Sequence, residues 1–199
     1  MQSTAKTFSN KLNARDLIHV GIYTALYFVI ILIFAMLGMI PIFMPLLVVL
    51  DPFFCGIPFM LFLTKVKKPG MIFIMAMIMG FMMFVTGMGP WPIATAAVAG
   101  IFAELIYRKG NYASSKLAIL SYAVFGLWML GNYIQLFTDY EAYFATRQSF
   151  GQEYIEALSA LMPLWMAPVL AIACFIFGLL GGFLGTKVLN KHFKKAGIV

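Results

Sequence analysis

The chain has 199 residues, of which 63% are apolar and only 11% charged, and its mean hydropathy is +0.95. A water-soluble domain of this size has no core large enough to hide so much apolar surface, so the bilayer must act as solvent and the fold class is an all-α integral membrane protein. The formal net charge of +7 then has to be explained by membrane topology or by an anionic partner.

Stretches of roughly 20 apolar residues each, the length needed to cross hydrocarbon, recur near 16–39, 42–64, 71–87, 91–107, 115–137 and 161–187. They predict six transmembrane helices in a single membrane domain over 1–199, with one long loop at 138–160 and no room for a soluble domain. Lys6, Lys11 and Arg15 precede the first stretch as they would in a signal peptide. Its apolar run is too long for one and no small-residue cleavage pattern follows, so it reads as a retained helix. In its inner half Gly21 and Ala25 lie one turn apart, behind the polar lead-in Asn13-Ala14-Arg15-Asp16. Small residues at this spacing let another helix approach closely, from within the protein or from a partner.

The second stretch is interrupted by Pro45, Pro52 and Pro58. Asp51 before Pro52 reads as an N-cap and a first helical residue, which predicts a helix broken at Asp51. A carboxylate at this depth either caps the lower half-helix or marks a ligand or ion path. Cys55 here and Cys174 in the last stretch lie in apolar runs and read as small core residues, not as a disulfide or a metal pair.

Gly87-Met88-Gly89-Pro90-Trp91-Pro92 joins the third and fourth stretches. The fourth carries the small residues Ala96, Ala99, Gly100 and Ala103, the last Gly178, Gly181, Gly182 and Gly185; both sets predict close internal packing. Glu104 lies four residues before Arg108, which predicts a snorkelling ion pair at the cytoplasmic edge. In the fifth stretch Trp128, Asn132, Gln135 and Asp139 recur at helical spacing and share one face. An unpaired amide in hydrocarbon costs several kcal/mol, so that face must meet the protein interior or a wet cavity, as an interhelical seam or as a pocket wall. The following loop holds Tyr140, Tyr143, Phe144, Arg147, Gln148, Phe150, Gln152 and Tyr154. Loops longer than about 15 residues in so economical a chain act as lids or binding elements. With Trp91 and Trp165 at its borders, this one predicts a roofed pocket, although interfacial aromatic belts also explain those two tryptophans.

Every Lys and Arg except Arg147 falls at the two ends, in 65–68 or in 108–116, while the opposite side carries Asp139, Glu141, Glu153 and Glu156. Cytoplasmic loops collect Lys and Arg, so both termini are predicted to be cytoplasmic and the net charge is a topology signal rather than a nucleic-acid surface. There is no phosphate-binding Gly-x4-Gly-Lys-Ser/Thr loop, so ATP hydrolysis by this chain is not expected. His19 and His192 are far apart, and neither His-Glu-x2-His, Gly-x-Ser-x-Gly nor paired membrane carboxylates occur. The sequence therefore predicts neither an enzyme nor a metal site, and it lacks the internal repeat of alternating-access transporters.

The Lys11-Leu-Asn-Ala-Arg-Asp-Leu-Ile opening, the Gly21-x3-Ala25 pair, six spans with cytoplasmic ends and a long fifth outer loop together resemble the S components of energy-coupling factor (ECF) transporters. The likeness covers nearly the whole chain and is greatest to the Trep/Strep-type (MptD-like) S components. Helix one in that family usually carries two alanines at this spacing; here Gly21 takes the first position. The resemblance implies a substrate-binding subunit of an ABC importer in the bacterial cytoplasmic membrane. Its partners would be a transmembrane coupling subunit docked at Gly21 and Ala25 and two ATPase subunits that use the ATP, with no cofactor held by this chain. It also implies an outward pocket where this sequence puts Trp91, Asn132, Gln135, Asp139 and Trp165. Trp128, Tyr143 and Arg147 from the stripe and loop, with Asp51, complete the candidate substrate-binding set. An aromatic and amide lining suits a planar ring compound such as a vitamin, and 15 methionines keep haem in play with tyrosine or methionine as axial groups, histidine being on the wrong side. A self-sufficient secondary transporter or channel, and a non-transporting membrane scaffold, are the alternatives.

Overall fold

In the computed structural model side-chain caps open some of the helices, and a proline withdraws a donor where one of them is interrupted. The structure describes residues 12–66, 68–145, 147 and 150–193. Lys6, Lys11, Lys67, Gln148, Lys194 and Lys195, used above for topology or for the outer loop, lie outside the described residues.

Helix α1 (Ala14–Ala35) opens with a reciprocal cap: the Asn13 side chain accepts from Asp16 N–H at 3.0 Å and the Asp16 carboxylate from Asn13 N–H at 2.8 Å. A 3₁₀ turn carries it on to Met39. Helices α2 (Phe43–Phe54) and α3 (Gly56–Leu63) meet at Cys55. This corrects the expected break at Asp51, which sits inside α2 with its carbonyl accepting from Cys55 N–H at 2.9 Å. Pro52 is tolerated within the helix, and the discontinuity falls where Pro58 has no N–H to offer the Phe54 carbonyl.

Helix α4 (Met71–Met83) runs into a π-type turn over Phe84–Met88. The turn closes through Gly87 (φ 89°) and Gly89 (φ 76°), left-handed conformations that cost other residues a steric clash. Helix α5 (Trp91–Lys109) has Pro92 in its first turn, where the missing N–H goes unused. Helix α6 (Ser115–Gly126), capped by Ser114, passes through a 3₁₀ turn over Leu127–Leu130 into α7 (Gly131–Thr138). The expected outer loop is partly helical, containing α8 (Tyr140–Ala145) and α9 (Gln152–Leu161). The last long helix, α10 (Met166–Val188), starts later than the expected 161 because the chain turns through Met162–Trp165 around Pro163.

Among the described residues there is no strand, and five helical stretches are long and apolar enough to cross a membrane: Ala14–Met39, Phe43–Leu63, Met71–Met88, Ser115–Thr138 and Met166–Lys191. The fourth expected span, α5, falls short of these in apolarity, since it carries Glu104, Arg108 and Lys109 among many alanines. It packs chiefly on α4 and α6.

The small-residue stripes are internal, as expected. A Cβ on Gly181 would sit 2.1 Å from the Pro52 carbonyl oxygen, one on Gly185 2.4 Å from that of Gly56, and one on Gly100 2.6 Å from Ala76 Cβ. Cys55 and Cys174 are buried and free, with their thiols directed at the carbonyls of Tyr27 and Gly126. Gly21 behaves differently. Among the described residues no atom lies within 4 Å of where its Cβ would be, and it shares an exposed face with Ala25, Ile18, Ile22 and Val29.

Glu104 requires a second correction. It is buried, and instead of pairing with Arg108 it accepts from the Ile72 and Phe73 N–H groups at 3.0 and 3.4 Å and from the Tyr112 hydroxyl at 2.9 Å. The first-turn donors of α4 have no partner in their own helix, and a carboxylate from α5 both bonds them and meets the positive end of the helix dipole. An ion pair forms instead between Lys68 and Asp16, at 2.7 Å.

Candidate functional site

The ends of α1 and α4, the start of α2 and the segment from Met129 to Tyr133 enclose a cavity of about 120 Å³. It lies at the end of the helices away from Lys68, Arg108, Lys109 and Lys116. Asp51 reaches it from α2 and is only 2% exposed, yet its Oδ1 has no hydrogen-bond partner among the described residues. Asn132 Oδ1, on the same cavity, is also without a partner among the described residues, and Trp128 Nε1, one turn deeper and fully buried, faces the Tyr27 hydroxyl without a well-formed hydrogen bond.

Nearby donors are already committed elsewhere. The Tyr133 hydroxyl donates to the Met44 carbonyl at 2.8 Å, that of Tyr122 to the Pro52 carbonyl at 2.6 Å, and that of Thr86 to the Met83 carbonyl at 2.8 Å. A buried polar group left unpaired costs about 1–3 kcal/mol, more if charged. Buried polar atoms in native proteins are almost always satisfied, so unmet ones beside a cavity mark a candidate binding place. The remaining lining is apolar and soft: Ile31, Leu32, Leu47, Met83, Met88 and Met129.

The segment after α7 is bonded to elements that form or adjoin this cavity. Arg147 donates to the Tyr143 carbonyl at 2.6 Å and to the Gly87 carbonyl at 2.8 Å, lies 3.3 Å from Met88 Sδ, and stacks its guanidinium 3.9 Å above the Tyr143 ring. It thereby ties the segment to the π-type turn whose Thr86 and Met88 line the cavity. From α9 the Tyr154 hydroxyl donates to the Gly38 carbonyl, joining the segment to the end of α1. Burial pushes the Tyr154 pKa up to about 12, so the hydroxyl remains a donor throughout the physiological range. Tyr154 stacks on Phe150 at 4.4 Å, and Phe144 packs against Tyr140 and Tyr143 at 4.8 and 5.0 Å.

The polar stripe faces inward for most of its length. Trp128 and Asn132 point to the interior, and Gln135 reaches the rim, with its Oε1 at 3.0 Å from where a Gly89 Cβ would lie. Asp139 leaves the stripe: α7 ends at Thr138, and the exposed Asp139 carboxylate accepts from Ala142 N–H at 3.0 Å, capping α8. Two tryptophans also lie apart from the cavity. Trp91 lines a separate apolar groove of about 530 Å³ between α5, the α6–α7 segment and α10. Trp165 is 64% exposed at the start of α10, as an interfacial tryptophan would be. The structure thus brings Asp51, Trp128, Asn132, Gln135, Tyr143 and Arg147 to one end of the bundle and leaves Trp91, Asp139 and Trp165 out of the cavity. Sequence reasoning missed Met44, Met83, Met88, Met129 and Tyr133. Among the described residues no group of three or more His, Cys, Asp or Glu is placed to hold a metal ion.

Fold and site together define a multi-pass helical membrane protein with a small, largely apolar cavity bordered by Asp51 and Asn132 at one end of its helices. The family model described as "Hypothetical bacterial integral membrane protein (Trep_Strep)" matches residues 14–195, and the chain belongs to that family. No curated protein and no solved structure was found to match the chain.

Proposed function

We propose that this chain is the substrate-binding S component of an ECF-type importer, taking up a small nutrient at the outer face of a bacterial membrane. In this reading α5 is the fourth of six crossings, both termini are cytoplasmic, and the cover over 138–160 faces outside. Ligand enters the Asp51–Asn132 cavity when the cover lifts and is closed off from water when Arg147 and Tyr154 re-form their backbone bonds. The chain carries out no chemistry itself. Movement of the loaded subunit is driven by ATP hydrolysed in two partner ATPases, through a transmembrane coupling subunit seated on the Gly21 and Ala25 face.

One observation supports this best: polar atoms without partners among the described residues lie beside a cavity, at the end opposite the basic loops. Its volume is below the roughly 300 Å³ at which pockets for drug-sized ligands begin, so a compact ligand suits the covered form better than haem. Asn132→Leu is expected to weaken binding of the compound that co-purifies with the protein by about 1–3 kcal/mol, because the ligand's donor would lose its acceptor. Isothermal titration in detergent measures this, and unchanged affinity would move Asn132 to a structural role.

Orientation has its own test. A cysteine replacing the exposed Gln152 should react with an impermeant thiol reagent on intact cells, and one replacing the exposed Lys116 should react only after the cells are opened. The reverse pattern would invert the protein in the membrane.

A further inference from the structure

We infer that the ligand of this cavity is a small organic cation, an ammonium compound whose N–H groups are received by Asp51 and by Asn132 Oδ1 while its carbon frame lies against methionine and tyrosine. The inference rests on the proposed substrate-binding reading and adds the ligand's charge and size.

Asp51 carries it. A carboxylate held inside a membrane helix and only 2% exposed is tolerated when it is paired or hydrogen-bonded, and here Oδ1 has neither an ion-pair nor a hydrogen-bond partner among the described residues. The elements packed around it supply Tyr27 from α1, Cys55 from the α2–α3 junction, Tyr133 from α7 and Cys174 from α10. None is a cation, and no Lys or Arg lines the cavity. The cation of the cover, Arg147, is engaged above it with the carbonyls of Gly87 and Tyr143. Of the tyrosine and cysteine donors beside Asp51, Tyr133, Cys55 and Cys174 are directed at backbone carbonyls, and the Tyr27 hydroxyl faces Trp128 and Tyr122. A cationic ligand would supply the positive charge that this lining does not provide.

Asn132 Oδ1 adds a second acceptor without a partner, which suits a group bearing several N–H donors. A hard metal ion fits poorly. Calcium takes six to eight oxygens and magnesium a near-ideal octahedron, whereas this lining is dominated by aliphatic carbon and by the thioethers of Met44, Met83, Met88 and Met129. Polarizable sulfur and the Tyr133 ring are favourable neighbours for the methylene groups next to an ammonium. The volume of about 120 Å³ limits the frame to a short chain or a single ring.

The test uses the full chain purified in detergent. Mass spectrometry identifies the small molecule that co-purifies, and thermal-shift titrations compare tyramine and histamine with their acidic counterparts 4-hydroxyphenylacetate and imidazole-4-acetate, and with sodium and potassium chloride. The co-purifying compound should carry a cationic nitrogen, the amines should raise the melting temperature where the acids do not, and Asp51→Asn should lower affinity for the co-purifying compound by at least about 30-fold, as expected for truncating one partner of a buried charge pair. A co-purifying compound without a cationic nitrogen, stabilisation by the acids or by sodium or potassium alone, or full affinity in Asp51→Asn would each overturn the inference. In those cases a bound compound whose affinity still depends on Asn132 would leave the S-component reading standing. Absence of any bound compound together with no shift from any probe would overturn both.

Discussion

A Gly21→Trp, Ala25→Trp double variant should fold, reach the membrane and bind ligand with near-parental affinity, while uptake in cells and recovery of the coupling subunit in pull-downs fall at least about tenfold. Among the described residues nothing opposes the added bulk, because none has an atom within 4 Å of the Gly21 Cβ position and Ala25 is exposed. A partner helix seated on the pair would be held away by about a side-chain width and would lose the short-range contacts that drive association where lipid is as apolar as the helix. The cavity is out of reach. Its nearest α1 residue, Ile31, lies six positions beyond Ala25, or roughly 9 Å along the axis at 1.5 Å per residue. Parental uptake in a variant shown to be folded would remove the docking role from this face.

The largest loss of stability should come from Gly181→Leu. A Cβ there would lie 2.1 Å from the Pro52 carbonyl oxygen and 2.6 Å from that of Phe53, so even one carbon forces backbone to move. The displaced element is α2, whose Asp51 precedes Pro52, and the cavity wall would shift with it. Overpacking of this kind costs typically 1–3 kcal/mol; with backbone as the obstacle we expect at least about 3 kcal/mol, read as a strongly lowered melting temperature in detergent and loss of ligand binding. Gly151→Ala is the control, since among the described residues nothing lies within 4 Å of its Cβ position and its φ of −65° suits any residue; it should melt with the parental protein. Equal melting of Gly181→Leu and parent would contradict the close contact of α2 with α10.

Much of the fold is legible because apolar run length is set by the bilayer and read locally. The inward stripe is legible for the same kind of reason: Trp128, Asn132 and Gln135 are polar or amphipathic residues in an apolar run, and their spacing fixes a common face. The stripe fails at Asp139 because spacing does not reveal that α7 stops at Thr138. Asp51 stands out as a charge in hydrocarbon, but a local rule cannot choose between Pro52 and Pro58 as the point of rupture. Glu104 shows tertiary structure overriding a neighbour rule, since the first-turn donors of α4 are better partners than an exposed Arg108. The methionines of the cavity leave no sequence mark at all: Met44, Met83, Met88 and Met129 come from three separate regions and share no periodicity. Trp91 and Trp165 could be read two ways from sequence, and their exposure fits the interfacial way.

The most direct measurement is uptake of the co-purifying compound into proteoliposomes, with the chain reconstituted alone or together with its coupling subunit and two ATPases. Accumulation should occur only with the complete assembly and ATP, and the chain alone should bind the compound without accumulating it. Accumulation by the chain alone under a proton or sodium gradient would contradict the S-component reading.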